Sequence, residues 1–197
     1  MSEVIEFKSA FDAARFALCY STQQYGESLM AKRLRGDVGG SGMGLVGLDG
    51  AGQAGMIRRV LWELPELHLA AVVARAAPRE LDCGCGRTCC AKSRPNDEWA
   101  AAIEWLTGAS TAYCSGFSQY RVRRAIIERC FGVKRNLEEI ADDCGAHRNT
   151  VSKHNAAVRR WMDGDRRTGE IGMLDVAWGA LDRRFVELGW IERRDAA

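Results

Sequence analysis

Residues 137–156, LEEIADDCGAHRNTVSKHNA, decide the fold that we predict for this chain. Ile140 and Cys144 lie one helical turn apart, so both side chains point into one small core. Gly145 can end a helix, because glycine adopts the left-handed backbone conformation without steric cost. Val151 then returns to the same core. This spacing predicts two helices joined by a three-residue turn, as in a helix-turn-helix.

The second predicted helix begins near residues 147–148 and has a polar, basic outer face. Arg and Asn can form paired hydrogen bonds with guanine and adenine in the major groove. The N-terminal residues of such a helix usually reach the bases, and later basic residues contact the backbone. Thr150 can hold a phosphate at the positive helix end. The residues expected to read bases are Arg148, Asn149, Ser152 and Lys153; Asn155 is a further DNA-facing donor, and the phosphate candidates are Arg121, Arg123, Arg124, Arg159 and Arg160.

Charge is unevenly distributed, although the formal net charge of the chain is only +2. Residues 121–167 contain twelve Lys and Arg against seven Asp and Glu. A basic segment in a near-neutral protein indicates a surface for a polyanion. The alternatives are a solvated helix face and a helical hairpin used for packing or for binding a protein. His154 departs from the usual motif, which more often has an aliphatic residue there, so we also expect it to pack partly in the core.

Four of the eight cysteines lie within residues 83–90, CGCGRTCC. Disulfides are rare in a reducing cytosol, so the cluster indicates a metal site. Thiolates suit tetrahedral zinc, and the intervening glycines let the backbone fold around an ion. An iron–sulfur cluster, a Cu(I) site and unligated thiols are the alternatives. Because adjacent cysteines need not bind the same ion, His68 or Cys114 could supply the fourth ligand. The predicted ligands of a structural zinc are Cys83, Cys85, Cys89 and Cys90.

The rest of the sequence predicts further helices, and hence an all-α, multi-helix protein that carries the helix-turn-helix and the small cysteine-rich module. Asn96 is the expected N-cap of a helix that carries Trp99 on its buried face. Residues 163–170 predict a polar loop. We divide the chain into an N-terminal helix (1–35), a Gly-rich linker (36–55), a helical region with the cysteine metal cluster (56–116) and a helix-turn-helix DNA-binding region with a closing C-terminal helix (117–190).

The Gly-rich linker contains a formal GxGxxG pattern at residues 42–47. A dinucleotide site needs a strand before this pattern and a βαβ unit around it. A basic helix is predicted before it instead, so we interpret these glycines as a connector. Neither a P-loop, nor a Ser-His-Asp set, nor a paired-carboxylate pattern is recognisable, so we do not expect an enzyme.

Membrane insertion and export are not expected from this sequence. No apolar run approaches the roughly 20 residues that cross a bilayer. The first residues, MSEVIEFKSAFD, are acidic and mixed, unlike a signal peptide. We therefore expect a cytoplasmic protein without a membrane partner.

Residues 119–162 resemble the region-4-like helix-turn-helix of sigma factors: a helix, then LEEIADDCGAHRNTVSKH, then a long basic helix. With the cysteine module upstream and the closing helix IGMLDVAWGALDRRF at residues 171–185, the arrangement is similar to that of bacteriophage late-gene antitermination proteins of the Q type. The resemblance covers about residues 81–188. It implies a factor that binds double-stranded DNA near a late promoter and makes paused bacterial RNA polymerase read through terminators. The DNA contacts would then come from Arg148, Asn149, Ser152 and Lys153.

Three other functions fit the same pattern. An ordinary dimeric repressor or activator would bind a palindrome through the same helix. A DNA-packaging adaptor, such as a small terminase subunit, would use a helix-turn-helix within a ring assembly. A structural interaction protein would have no role on nucleic acid.

Overall fold

The structure is a computed structural model that describes residues 7–20, 48–83, 85, 91–114 and 119–192. Within these ranges the chain is mostly helical, as predicted. No helix in them is long and apolar enough to cross a lipid bilayer. The helices are α1 (Ala10–Cys19), α2 (Leu48–Trp62), α3 (Glu66–Ala76), α4 (Asp97–Ala109), α5 (Tyr120–Cys130), α6 (Leu137–Cys144), α7 (Arg148–Asp163) and α8 (Met173–Glu187), and the strands are β1 (Glu80–Asp82), β2 (Ser93–Pro95), β3 (Gly164–Asp165) and β4 (Glu170–Ile171).

The chain divides into two compact units. The first comprises Met1–Leu64 together with Leu181–Ala197, and the second comprises Pro65–Ala180. These boundaries do not coincide with the four predicted segments. In particular, the predicted boundary at residue 117 falls inside the second unit, where α4 and α5 pack against each other.

In the first unit, α1 packs against α2 through small side chains. Ala13, Ala14 and Ala17 of α1 are fully buried, as is Ile57 of α2. Small residues at a helix contact allow the two axes to approach closely. The Nε of Arg58 donates to the carbonyl of Ala17 at 3.0 Å, which satisfies one of the last acceptors of α1.

The N-terminal helix is shorter than the predicted segment 1–35. The Ser9 hydroxyl accepts from the Asp12 amide at 3.1 Å and begins α1. Tyr20 is extended (φ −70°, ψ 108°) and ends it, which excludes a helix running through that residue. Residues 21–35 lie outside the described residues.

The predicted Gly-rich linker is wrong over residues 48–55, which form the first half of α2. Gly50 and Ala54 are buried one turn apart, in line with Ile57. The glycine count suggested a connector, but at helical spacing these small residues form a buried stripe. Residues 36–47, including the GxGxxG pattern, lie outside the described residues.

The second unit begins with α3 and α4, which pack against each other. Along the chain, the β1–β2 hairpin connects these two helices. Asn96 is the predicted N-cap, and its side chain accepts from the Glu98 amide at 3.0 Å. The indole N–H of Trp99 donates to the carbonyl of Ala74 at 3.1 Å. A buried Trp with a satisfied N–H is a core residue, as we predicted for this one.

The rest of the second unit is built on α5, α6 and α7, each of which contacts the other two. Ile126, Ile140, Val151 and Val158 are fully buried among them. Each fully buried aliphatic side chain contributes about 1.5–3 kcal/mol relative to exposure, so this cluster fixes the three helices as one body. α5 also packs on α4, which ties the three helices to the rest of the unit.

Among the residues that the structure describes, two short antiparallel hairpins interrupt the helices. β1 pairs with β2, with Leu81 opposite Arg94. β3 pairs with β4 within the segment 163–170 that we predicted to be a polar loop, so that prediction is wrong over three of its residues. The hairpin also includes Ile171. Strands of two residues give no alternation for a sequence pattern to reveal.

Candidate nucleic-acid interface

The turn between α6 and α7 begins with backbone hydrogen bonds that close the end of α6. Gly145 is left-handed (φ 61°, ψ 35°). Its amide donates to the carbonyl of Asp142 at 3.2 Å, and the Ala146 amide donates to Ala141 at 2.9 Å. This pair of bonds is a Schellman motif, which satisfies the last carbonyls of a helix. The predicted break at Gly145 is confirmed.

Both helices are capped at their N-termini. The Asn136 side chain accepts from the Glu139 amide at 2.8 Å, and the Glu139 carboxylate accepts from the Asn136 amide at 2.9 Å, which is a complete capping box. His147 is the N-cap of α7, and its Nδ1 accepts from the Asn149 amide at 3.2 Å. The caps separate α6 from α7 by three residues, as predicted.

The facing sides of α6 and α7 pack as the sequence predicts, with one exception. Val151 and Val158 are fully buried against the neighbouring helices, as is Ile140 of α6. Cys144 was predicted to point into the same core but is only half-buried. His154 is 8% exposed, so it packs in the core, and its Nδ1 has no hydrogen-bond partner in the described structure.

The outer face of α7 carries the predicted base-reading residues. With 3.6 residues per turn, the buried positions 151, 154 and 158 share one side of the helix. Asn155, whose side chain is half-buried, borders that side. The residues that α7 leaves exposed include Arg148, Asn149, Thr150, Ser152, Lys153, Arg159 and Arg160.

Arg123 is buried, at 8% exposure, and is therefore not the phosphate contact that we predicted. Its Nε donates to the carbonyl of Thr107 on α4 at 3.4 Å. The physical reason is the packing of α4 on α5, which covers this side of α5. The sequence around Arg123 could not indicate this burial, because the covering helix α4 is a separate element that meets α5 only in the folded unit.

Three of the other phosphate candidates have partners within the protein, and their side chains are exposed or half-buried. Arg121 is exposed and donates to the carbonyl of Asp143 at 3.3 Å. Arg124 is half-buried and pairs with Glu128 at 3.0 Å. Arg160 is exposed and pairs with Glu170 at 2.7 Å. Each would have to exchange a protein partner for a phosphate.

Arg129 connects α5, the α5–α6 loop and α7, a role that sequence reasoning missed. Its Nε donates to the carbonyl of Arg135 at 2.9 Å, and its Nη1 donates to the Oδ1 of Asn155 at 3.0 Å. We predicted that Asn155 faces DNA. Because these side chains bond to each other, Asn155 positions α7 instead of presenting a free amide oxygen.

The cysteine cluster begins at the end of β1. The Cys83 amide donates to the carbonyl of Lys92 at 2.8 Å, so the two ends of segment 83–92 lie side by side. Cys83 is half-buried and Cys85 is exposed, while Cys89 and Cys90 lie outside the described residues. Three metal-ligating side chains do not come together anywhere in the described ranges, so neither His68 nor Cys114 joins both Cys83 and Cys85 there.

Cys114 has the character of a core thiol. It is 4% exposed, and burial raises the pKa of its thiol, an effect that the positive charge of Arg123 partly offsets. A raised pKa favours the neutral thiol over the thiolate that metals bind. Cys114 is therefore a poorer candidate ligand than the cysteines beside the hairpin.

We compared the chain with protein-family models, with curated proteins and with solved structures, and none of the three comparisons gave a match.

Proposed function

We propose that this chain is a sequence-specific regulator of transcription that binds double-stranded DNA, with α6 and α7 as a helix-turn-helix and α7 in the major groove. One observation carries the proposal. The left-handed turn at Gly145 joins two helices whose apolar faces meet at Ile140 and Val151, which leaves Arg148 and Lys153 exposed on the other side of α7. The major groove is wide enough for one α-helix.

The N-terminal turns of α7 supply the base contacts in this proposal. Arg148 can donate two hydrogen bonds to the O6 and N7 of guanine, and Asn149 can pair with the N6 and N7 of adenine. Ser152 and Lys153 lie a further turn along. Thr150, in the first turn of α7, would hold a phosphate at the positive end of the helix. Arg159, further along α7, would contact the sugar–phosphate backbone.

Binding to duplex DNA tests the proposal. A duplex is first selected from a random-sequence library with the wild-type chain. Arg148→Ala should weaken binding to this duplex by about 1–3 kcal/mol, because a paired base contact is lost. Arg159→Ala should weaken binding to selected and random duplexes alike. It should also reduce the slope of log affinity against log salt concentration by about one. The matched control is Arg75→Ala, an exposed arginine on α3 of the same unit. Unchanged binding by Arg148→Ala would refute the assignment of α7.

The finer proposal is a phage-type antitermination factor that acts on bacterial RNA polymerase in the host cytoplasm. Its support is the order of features implied by the Q-type resemblance: a cysteine-bearing hairpin, then α5 to α7, then the closing helix α8. Transcription across a terminator, from a phage late promoter, should yield more read-through product when the chain is added. A dimeric repressor would instead reduce initiation, and a small terminase subunit would form a ring whose mass is measurable in solution.

We also propose that Cys83, Cys85, Cys89 and Cys90 hold a structural zinc ion. The support is the β1–β2 pairing, which brings both ends of the segment together, and the soft thiolate ligands that zinc prefers. Elemental analysis of the purified protein should give about one zinc per chain. Cys85→Ser should lose the metal and the control Cys19→Ser should keep it. Less than half an equivalent of zinc, iron or copper per chain in the wild type would refute the site. An equivalent of iron or copper instead of zinc would keep the site but change the identity of its metal.

A further inference from the structure

A β-hairpin follows α7 with no linker between them. α7 ends at Asp163, and β3 begins at Gly164. Gly164 pairs with Ile171 and Asp165 pairs with Glu170, so residues 166–169 form the turn of the hairpin. The position of this hairpin in the fold is therefore determined by the C-terminal end of the helix that we propose to read DNA.

Three contacts fix the hairpin to α7. The Gly164 amide donates to the carbonyl of Arg160, and the Arg160 guanidinium pairs with Glu170 on β4 at 2.7 Å. The backbones of Gly164 and Gly172 approach so closely that a Cβ at Gly164 would overlap the carbonyl oxygen of Glu170, and one at Gly172 would overlap that of Met162. Only glycine, which has no Cβ, permits this close backbone packing at the two positions. The packing fixes the direction in which the hairpin leaves the helix.

The turn of the hairpin presents two arginines to solvent. Arg166 and Arg167 are both exposed. The Asp165 carboxylate accepts from the Arg167 amide at 2.9 Å, and the Asp165 carbonyl accepts from the Thr168 amide at 3.2 Å. These bonds order the backbone of the turn. Neither guanidinium has a hydrogen bond or an ion pair within the described part of the chain, unlike that of Arg160.

We propose that this hairpin is a second DNA contact, in which Arg166 and Arg167 bind the sugar–phosphate backbone beside the groove that α7 enters. A helix of 16 residues is about 24 Å long, which is about twice the roughly 12 Å width of the major groove. When the first turns of α7 contact bases, its last turn lies over the adjoining backbone, and the hairpin lies there with it. The arginine pair supplies two cations at that point. The inference rests on the proposed DNA binding of α7.

The experiment measures binding of a labelled random-sequence duplex as a function of salt. In Arg166→Gln/Arg167→Gln, the slope of log affinity against log salt should fall by about two, since each phosphate contact contributes about 0.9. The affinity advantage of the wild type should therefore shrink about tenfold between about 50 and about 200 mM salt. Arg75→Gln/Arg94→Gln, which removes two exposed arginines elsewhere in the same unit, should keep the wild-type slope.

The outcomes separate this inference from the proposed function. If the wild type binds duplex and the hairpin variant has an unchanged slope, the hairpin inference is refuted while the proposed function stands. If the control variant loses as much slope as the hairpin variant, the effect is one of net charge, which also refutes the inference. If the wild type binds no duplex, the proposed function and the inference fall together. Circular dichroism of both variants verifies their fold, which exposed positions should not disturb.

Discussion

His154 is a polar side chain in an otherwise apolar position of α7. It is 8% exposed and its Nδ1 lacks a hydrogen-bond partner in the described structure. A buried polar atom without a partner costs about 1–3 kcal/mol. An aliphatic residue is more usual at this position of a helix-turn-helix, and the burial of the side chain shows why.

We predict that His154→Leu stabilises the protein. Leucine fills a similar volume and leaves no polar atom unpaired, so the free energy of unfolding should rise by about 1 kcal/mol. Urea unfolding measures the change. His154→Ala is the control, because it also removes the polar atom but creates a cavity and should destabilise. A leucine variant that is less stable than the wild type would show that the imidazole has a partner in solution.

Cys130, at the end of α5, carries a thiol that burial makes difficult to ionise. Burial raises its pKa from an ordinary value of 9.0 to about 11, although the positive charge of Arg159 acts in the opposite direction. Below pH 9 the thiol is neutral in the folded and the unfolded chain. Between pH 9 and 11 only the unfolded thiol ionises, so this contribution to stability is lost as the pH rises through that range.

We therefore predict a pH-dependent difference between the wild type and Cys130→Val. One pKa unit corresponds to about 1.36 kcal/mol, so the wild type should lose up to about 2.7 kcal/mol more than the variant on going from pH 8 to pH 11. Urea unfolding at several pH values gives the difference. Parallel curves for the two proteins would mean that the thiol ionises normally in the folded state.

The α6–α7 turn is the element on which the interface depends. Gly145 has a positive φ of 61°, and a Cβ there would meet no other atom within 4 Å, so the strain of a substitution would come from the backbone alone. Left-handed backbone costs an ordinary residue roughly 1–2 kcal/mol. Gly108 is the opposite case, because it lies inside α4 with open space around it and without a positive φ.

We predict opposite effects for the same substitution at these two glycines. Gly145→Ala should lower the free energy of unfolding by about 1 kcal/mol and weaken duplex binding, since it disturbs the angle between α6 and α7. Gly108→Ala should raise the free energy of unfolding by about 0.5–1 kcal/mol, because alanine is the better helix former. Thermal unfolding compares the two. A stabilising Gly145→Ala would contradict the left-handed turn.

The local features of the elements could be predicted from the sequence, and the long-range ones could not. The caps at Asn96 and Gly145 depend on the residues that surround them in the chain, so their patterns were recognisable. The burial of Arg123 and the bond between Arg129 and Asn155 depend on helices that meet only in the folded unit. Each of these side chains is polar in the sequence, and nothing near it indicates a covering neighbour.

The β3–β4 hairpin was missed for a different reason. Its strands contain two residues each, too few for alternation. One signal was available: Gly164, Gly169 and Gly172 bracket the polar turn, and two of them have positive φ. Glycines on both sides of a short polar run are typical of a tight turn, and this pattern could have favoured a hairpin over a loop.

Across the second unit, charge is separated between the two helices of the interface. α6 has Glu138 and Asp142 exposed, whereas α7 has Arg148 and Lys153 exposed. Carboxylates repel phosphates, so a duplex is favoured on the α7 side and disfavoured on α6. Net charge conceals this arrangement, because the whole chain carries only +2. The orientation that we propose for a bound duplex therefore rests on where the charges lie in the unit and not on their sum.

The base preference of the protein tests the central claim most directly. Selection from a random-sequence duplex library should give one preferred motif for the wild type. Arg148→Ala should lose the preference at one position of that motif and keep the rest, because only the contact to that base is removed. Arg159→Ala, which removes a proposed contact to the DNA backbone, should select the wild-type motif unchanged. An identical motif from Arg148→Ala, or no motif from the wild type, would contradict the assignment of α7 as the helix that reads DNA.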